Sequence, residues 1–389
     1  MNILDYMTWR GDLSFKASPF NEIDNLIICQ MAYTIFDSYF EKKDSYKITE
    51  LSELFFKDHS DEEIKKSKSF VGQAPFILRA MANSVRFKNS VIHDFVSTVN
   101  EKTTEQFCCF QIDLSDGSTY VAFRGTDDTI VGWHEDFCLS YKTIPAQIAA
   151  ANYLNTHLKP RKKYRIGGHS KGGNLAVYAA IKAIKKNKCI LKVYSNDGPG
   201  LNKKCLSEED VKNYELIKDK IVKIMPEFDV FGILFAKNRN TKIIKSNGFM
   251  MLQHDAYTWQ VEGTHFVEGE LSEESKMIRI AFKDFINKAS KEECEQFSTE
   301  LFKALSETGL ETVSDFMNGG IPTLIKVISN LGEMNPTTKK FGASLISALA
   351  KGYGQGIGEK TKNIKNSIFD SVANKEKEIM DFINLNVKK

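Results

Sequence analysis

The stretch that decides the fold is RIGGHSKGGNLAVYAA, residues 165–180, in which one serine stands between glycines. A short apolar run precedes the serine and an alanine-rich helical pattern follows it, which predicts a strand, a tight turn and a helix. Residues 168–172 fit G-x-S-x-G, the nucleophile elbow, and a strand before and a helix after are the context that this motif requires. Such a turn strains the serine backbone and brings neighbouring chain close, so small residues must flank it. Ser170 is therefore a candidate nucleophile; the alternative is a tight turn with an inert hydroxyl.

Strands and helices alternate on the carboxyl side of this stretch. CILKVYSN (189–196), KIVKIMP (220–226) and TKIIKSN (241–247) have the composition of strands, and helical patterns separate the first of them from its neighbours. Upstream, QFCCFQIDLSDGSTYVAFRGT (106–126) reads as two β-rich runs around a turn at Ser115-Asp116-Gly117. This order predicts an α/β fold with a mainly parallel central sheet and helices on both faces.

Helical patterns dominate both ends of the chain. Residues 1–100 are predicted to be mostly helical, with Asn21 capping a helix and Asp24 at its third position. Residues 101–270 hold the sheet core, and we place the boundary of an α/β-hydrolase domain at 1–290. Beyond it, apolar faces at helical spacing predict a helical carboxyl-terminal extension over 291–389.

Composition excludes several functional classes. The chain has 389 residues and a net charge of +3, a near balance that gives no reason to expect a nucleic-acid partner. The amino-terminal sequence lacks the features of a signal peptide, and no apolar run is long enough to span a membrane, so we expect a cytoplasmic protein. Seven cysteines without a C-x-x-C pair indicate reduced, mostly buried thiols, and neither a metal site nor a cofactor is expected.

Chain order selects the partners of the serine. An elbow serine needs a base, and this fold class supplies its triad in the order serine, acid, histidine. Only His254 and His265 follow the elbow in the sequence. His254, in LQHDAYTW after the strand TKIIKSN, is the candidate base, and His265 is the reserve.

The acid and the oxyanion donors come from strand ends. Asp229 in MPEFDVFG follows the strand KIVKIMP and is the preferred acid, while Asp197 in SNDGPG ends the preceding strand and is the alternative. Acids from either strand end can reach the same imidazole. The amide of Lys171 follows from the elbow geometry as one oxyanion donor, and Thr126, at the exit of an earlier strand, is expected to supply the second.

Several motifs together resemble a known family. AFRGT, GGHSKGG, SNDGPG and QHDAYTW, with DYMTWRGDLSF and PFNEIDNLIICQMAY near the amino terminus, resemble the Mbeg-like bacterial family of unknown function. That family is an α/β-hydrolase group distantly similar to class-3 lipases, and the resemblance covers about the first 265 residues. It implies that Ser170 is the elbow serine and that Thr126, after FRG, contributes to the oxyanion hole. The chain departs from the lipases at Asp197-Gly198-Pro199-Gly200 and where EFDVFG replaces their acid motif.

These features predict a serine hydrolase that cleaves acyl esters through an acyl-enzyme intermediate. Its partner would be a small-molecule or lipid acyl ester, with peripheral membrane contact through the carboxyl-terminal helices. Two alternatives stay open: a non-catalytic binding or scaffold module that keeps the fold, and an acyltransferase that uses the same triad.

Overall fold

A computed structural model describes residues 1–67, 69, 71–100, 105–126, 130–139, 141–235 and 240–310, with isolated positions at 312, 315, 323, 327 and 341. The described chain forms one central sheet with helices on both faces, and a short two-stranded ribbon beside it. This is an α/β architecture consistent with an α/β-hydrolase-like fold, as the sequence predicts.

Eight strands make the central sheet, and their spatial order is their order in the sequence. They are β1 Ser45–Lys47, β2 Val91–Asn100, β3 Glu105–Asp113, β4 Thr119–Phe123, β5 Tyr164–His169, β6 Ile190–Asn196, β7 Ile221–Pro226 and β8 Thr241–Ile244. Strands β1 to β4 pair antiparallel, and β4 to β8 pair parallel. The ribbon pairs β9 Val261–Glu262 with β10 His265–Phe266. The predicted turn at Ser115-Asp116-Gly117 is confirmed as the β3–β4 hairpin, where Gly117 has a φ of 79°.

Twelve α-helices lie within the described residues. They are α1 Ile3–Arg10, α2 Glu22–Met31, α3 Asp37–Phe40, α4 Ile48–Asp58, α5 Asp61–Lys65, α6 Ala74–Ala82, α7 Ile130–Cys138, α8 Pro145–His157, α9 Lys171–Lys182, α10 Glu208–Ile217, α11 Glu273–Lys288 and α12 Lys291–Ser306. Asn21 caps α2 as predicted: its side chain accepts from the amide of Asp24, whose carboxylate accepts from the amide of Asn21. Such a cap is worth about 1 kcal/mol.

The sequential strand order explains how the helices divide between the two faces. Crossovers between parallel strands are right-handed, so steps that all run in one direction place their helices on one face. Accordingly α8 packs on α9, and α9 on α10. The amino-terminal helices cover the opposite face, where α2 packs on β4 and β5.

Side chains of the strands alternate between two apolar cores, as the pleat requires. Along β4, Tyr120 and Ala122 lie in the core beneath the amino-terminal helices, whereas Val121 and Phe123 lie in the core beneath α8, α9 and α11. The site described below sits at the carboxyl ends of β5, β6 and β7, between these cores.

Strands β1 and β2 belong to the central sheet, so the prediction that residues 101–270 hold the sheet core is wrong at its start. All seven cysteines are free, and only Cys205 is not buried, as expected. The predicted helical extension begins with α12, while most of residues 311–389 lie outside the described part of the chain. No helix among the described residues is both long and apolar enough to cross a membrane.

Candidate active site

The elbow has the geometry that its glycines predict. Ser170 lies between β5 and α9 with φ 55° and ψ −130°, a strained backbone for a residue with a side chain. A Cβ on Gly168 would lie 2.3 Å from the carbonyl carbon of Gly172, and a Cβ on Gly172 would lie 2.2 Å from the carbonyl oxygen of Phe123. Both glycines are therefore required by close chain approach, and the turn holds Ser170 at the amino terminus of α9.

Ser170, His254 and Asp197 form a continuous hydrogen-bonded chain. The Oγ of Ser170 lies 3.1 Å from Nε2 of His254, and Nδ1 of His254 lies 2.6 Å from Oδ2 of Asp197. With Nδ1–H donating to the carboxylate, Nε2 is left to accept the serine proton. All three side chains are buried, with Ser170 the most exposed at 7%.

Backbone contacts fix the two partners of the serine. Asp197 follows β6 with a φ of 49°, and its amide donates to the carbonyl of Ile224 at 2.7 Å. His254 ends a short 3₁₀ helix, Met250–His254, and its carbonyl accepts from Nε2 of His169 at 3.0 Å. The elbow histidine thus holds the backbone of the residue whose ring faces the serine.

The preference for Asp229 over Asp197 as the residue bonded to the imidazole is wrong. Oδ1 of Asp229 accepts the amides of Phe231 at 2.7 Å and Gly232 at 2.8 Å, which turn this carboxyl back into its own loop. Such a local side-chain to backbone turn is a common alternative use of an aspartate at a strand end. Asp197, kept as the alternative, makes the bond to His254.

The two aspartates nevertheless share one buried cluster with Lys223 of β7. Burial raises the pKa of Asp197 to about 7, although the Lys223 ammonium opposes the rise. Burial, and next the charge of Asp197, raise the pKa of Asp229 well above its usual range. Burial lowers the pKa of Lys223 to about 8 against the attraction of both carboxyls, and its Nζ donates to the carbonyl of Gly198.

The two expected oxyanion residues lie on either side of the elbow. Lys171 is the first residue of α9, so its amide is at the helix terminus where the dipole is positive. Its side chain points away into a buried ion pair, 2.6 Å from Oε2 of Glu135. Thr126 is buried and its hydroxyl donates to Oδ1 of Asp136 at 2.8 Å, leaving the amide as its candidate oxyanion donor. The preceding Gly125 has no room for a Cβ, which would lie 2.5 Å from the carbonyl oxygen of His169.

Aromatic rings cover the imidazole. The ring of Phe231 lies 4.7 Å from that of His254, and the ring of Trp133 lies 4.8 Å from Phe231. A cavity of 750 Å³ lies between α10, α11 and residues 199–206. Lys223 is among the described residues that line it, whereas Ser170 and His254 are not. The reserve candidate His265 is exposed in β10.

Sequence reasoning overlooked three residues of this site. His169 has no predicted role because it is bound into the elbow, yet its Nε2 lies 3.0 Å from the carbonyl oxygen of His254. The phenol oxygen of Tyr33 lies 3.2 Å from Nδ1 of His169. Lys223 had a visible signal, a single lysine in an otherwise apolar strand.

Among the described residues, no cluster of histidine, cysteine and acidic side chains is arranged to hold a metal ion.

Comparison with known proteins places the chain in a family. No curated protein matches it. A family profile described as Mbeg1-like matches residues 81–303, so it starts and ends later than the stretch of about 265 residues over which the motifs show the resemblance. The match includes the elbow, Asp197, Asp229 and His254, and it covers more than half of the 389 residues. The chain belongs to the Mbeg1-like family.

Proposed function

We propose that the protein is a serine hydrolase that cleaves acyl esters through a covalent acyl-enzyme intermediate. The observation that carries this proposal is the hydrogen-bonded chain from Ser170 through His254 to Asp197 at a strained elbow. A serine that only fills a turn has no need of an imidazole at 3.1 Å oriented by a buried carboxylate.

Each residue then has a defined part in the reaction. Ser170 Oγ attacks the acyl carbon while His254 Nε2 takes its proton, and His254 returns that proton to the departing alcohol. Asp197 holds the imidazole with Nδ1–H toward the carboxylate and stabilises the imidazolium. Water then repeats the sequence on the acyl-enzyme and releases the acid.

The amides of Lys171 and Thr126 are the proposed donors to the oxyanion. The buried pairing of the Lys171 ammonium with Glu135 supports this part of the proposal, because it keeps the cation away from the serine and leaves the helix terminus to act. A hydrolase of small-molecule or lipid esters in the cytoplasm fits the seven free thiols, which a reducing compartment would preserve.

Fluorophosphonate labelling tests the proposal, because this probe reacts with a serine only when a base activates it. We expect labelling at Ser170, found by mass spectrometry, and its loss in Ser170→Ala and His254→Ala. Ser115→Ala, in the exposed β3–β4 turn, and His59→Ala, on the surface, are matched controls that should label as the wild type does.

Wild-type protein that has not been treated with the probe should hydrolyse p-nitrophenyl esters, and a series of acyl lengths would define the substrate class. A folded wild type that does not react with the probe, with or without detergent, would overturn the proposal in favour of a binding module. Transfer of the acyl group to added alcohols in preference to water would instead indicate an acyltransferase.

A further inference from the structure

Asp197 and Asp229, the buried carboxyl pair, each have one oxygen occupied and one without a partner. Oδ2 of Asp197 accepts from His254, and Oδ1 of Asp229 accepts two backbone amides. Oδ1 of Asp197 and Oδ2 of Asp229 are buried and receive no N–H or O–H from the described residues. Buried polar atoms almost always have partners, so these two oxygens require an explanation.

The two unpartnered oxygens lie next to each other. Both border Gly232: a Cβ there would lie 2.4 Å from Oδ1 of Asp197 and 2.7 Å from Oδ2 of Asp229. Two ionised carboxylates cannot share a buried space without strong repulsion, and a proton held between them removes it.

The occupied oxygens indicate which aspartate carries the proton. Oδ1 of Asp229, which accepts from Phe231 and Gly232, has the role of a carbonyl oxygen, and this leaves Oδ2 for the proton. Asp197 accepts the Nδ1–H of His254 and must be ionised to stabilise an imidazolium. The charged groups that face the pair are Lys223, His254 and, beyond Lys223, Arg279 of α11.

We propose that Asp229 is a neutral carboxylic acid at neutral pH, whose Oδ2–H donates to Oδ1 of Asp197 and so positions Asp197 for His254. Its role in catalysis rests on the proposed function, but its protonation does not. The bond gives both oxygens of Asp197 a donor, one on each side, and holds the carboxylate toward the imidazole. The absence of a Cβ at Gly232 leaves the space in which the two carboxyls meet.

The first test measures protonation without any activity. Unfolding by denaturant is followed between about pH 5.5 and 7.5, above the usual pKa of an unfolded aspartate. The folded wild type holds the Asp229 proton in this range and the unfolded chain does not, so the contribution of Asp229 to stability falls as pH rises. The free energy of unfolding should change with pH more steeply downward in the wild type than in Asp229→Asn, and the difference between the two slopes should correspond to about one proton.

Asp210→Asn is the matched control for this test. Asp210 is also a buried aspartate, but hydrogen bonds to Lys182 and Ser207 lower its pKa, so it is ionised in both states across the range. Its stability curve should run parallel to that of the wild type. Parallel curves for wild type and Asp229→Asn would show an ionised Asp229 and overturn the proposal.

The second test uses the rate of fluorophosphonate labelling of Ser170 as a function of pH. Asparagine at 229 keeps both an acceptor for the amides and a donor to Asp197, so the labelling rate of Asp229→Asn should stay within about threefold of the wild-type rate. The acid limb of the pH profile, where the rate falls as pH decreases, should stay at the same pH. Asp229→Ala lacks the donor and should slow labelling about tenfold to a hundredfold. Asp197→Asn, which turns an amide toward Nδ1, should lose about 10⁴-fold.

The outcomes separate this proposal from the proposed function. A loss in Asp229→Asn equal to that in Asp197→Asn, or an acid limb moved to lower pH by loss of a negative charge, would overturn the positioning role. If the wild type does not label, the proposed function fails, and the unfolding measurement alone decides whether Asp229 holds a proton.

Discussion

Nε2 of His169, inside the elbow, lies 3.0 Å from the carbonyl oxygen of His254, the residue whose ring faces Ser170. Because a carbonyl oxygen can only accept, Nε2–H donates to it, and Nδ1 is left as an acceptor that faces the Tyr33 hydroxyl at 3.2 Å. The same hydroxyl lies 3.3 Å from the carbonyl oxygen of His169. Burial lowers the pKa of His169 well below its usual range, which keeps the ring in this neutral form. The strand and turn that carry the serine therefore also hold the loop that carries the histidine facing it.

Removing this contact should affect the chemical step more than substrate binding. We expect His169→Ala to reduce kcat, or the maximal rate of Ser170 labelling, about tenfold to a hundredfold, since small displacements of a catalytic group have effects of this size. KM should change little, and circular dichroism would verify the fold. Tyr33→Phe, which removes only the hydroxyl partner of the ring, should have a smaller effect of the same kind. Equal KM increases in both variants would point to a binding role instead.

The close approach at Gly172 predicts a steric cost that its neighbours cannot relieve. A Cβ would lie 2.2 Å from the Phe123 carbonyl oxygen, a backbone atom, so Gly172→Ala should lower the free energy of unfolding by about 2 to 3 kcal/mol. Gly117→Ala is the control: Gly117 has a φ of 79° but nothing within 4 Å of its Cβ position, so only backbone strain of about 1 kcal/mol is expected. Urea unfolding of both variants and the wild type would measure the two losses in the free energy of unfolding.

The buried ion pair of Lys171 and Glu135 predicts a non-additive pair of substitutions. Lys171→Met or Glu135→Leu alone leaves one buried group without its charged partner and should destabilise the fold by about 3 to 5 kcal/mol. The double variant Lys171→Met with Glu135→Leu removes both charges and should cost much less than the two single changes together. A double-mutant cycle from denaturant unfolding measures the coupling; additive effects would contradict a direct pair.

Asp210 predicts a loss of stability in acid. Its carboxylate accepts from Ser207 at the start of α10 and from Lys182, 2.7 Å away, and these hydrogen bonds lower its pKa. The stabilisation is present above the unfolded pKa and is lost as pH falls through the folded pKa. Asp210→Asn should cost about 1 kcal/mol at neutral pH, because the ion pair is partly solvated, and little below about pH 3. Denaturant unfolding of the wild type and Asp210→Asn, at neutral pH and below about pH 3, tests this prediction.

Much of this protein follows from local sequence. The glycine-flanked Ser170 and the periodicities on either side determine a strand, an elbow and a helix, because steric limits at a tight turn act over a few residues. The alternation of strands and helices determines a largely parallel sheet, since consecutive parallel strands need crossover connections. Chain order then leaves His254 as the better of two downstream histidines.

Only the tertiary structure decided between Asp197 and Asp229. Both follow adjacent parallel strands and reach the same edge of the sheet, so spacing in the sequence cannot separate them. The amides of Phe231 and Gly232 draw Asp229 into its own loop, while the strained backbone of Asp197 directs its carboxylate to Nδ1 of His254. The contacts of His169 and Lys223 likewise join segments remote in sequence, and such contacts are fixed by the packing of the whole sheet.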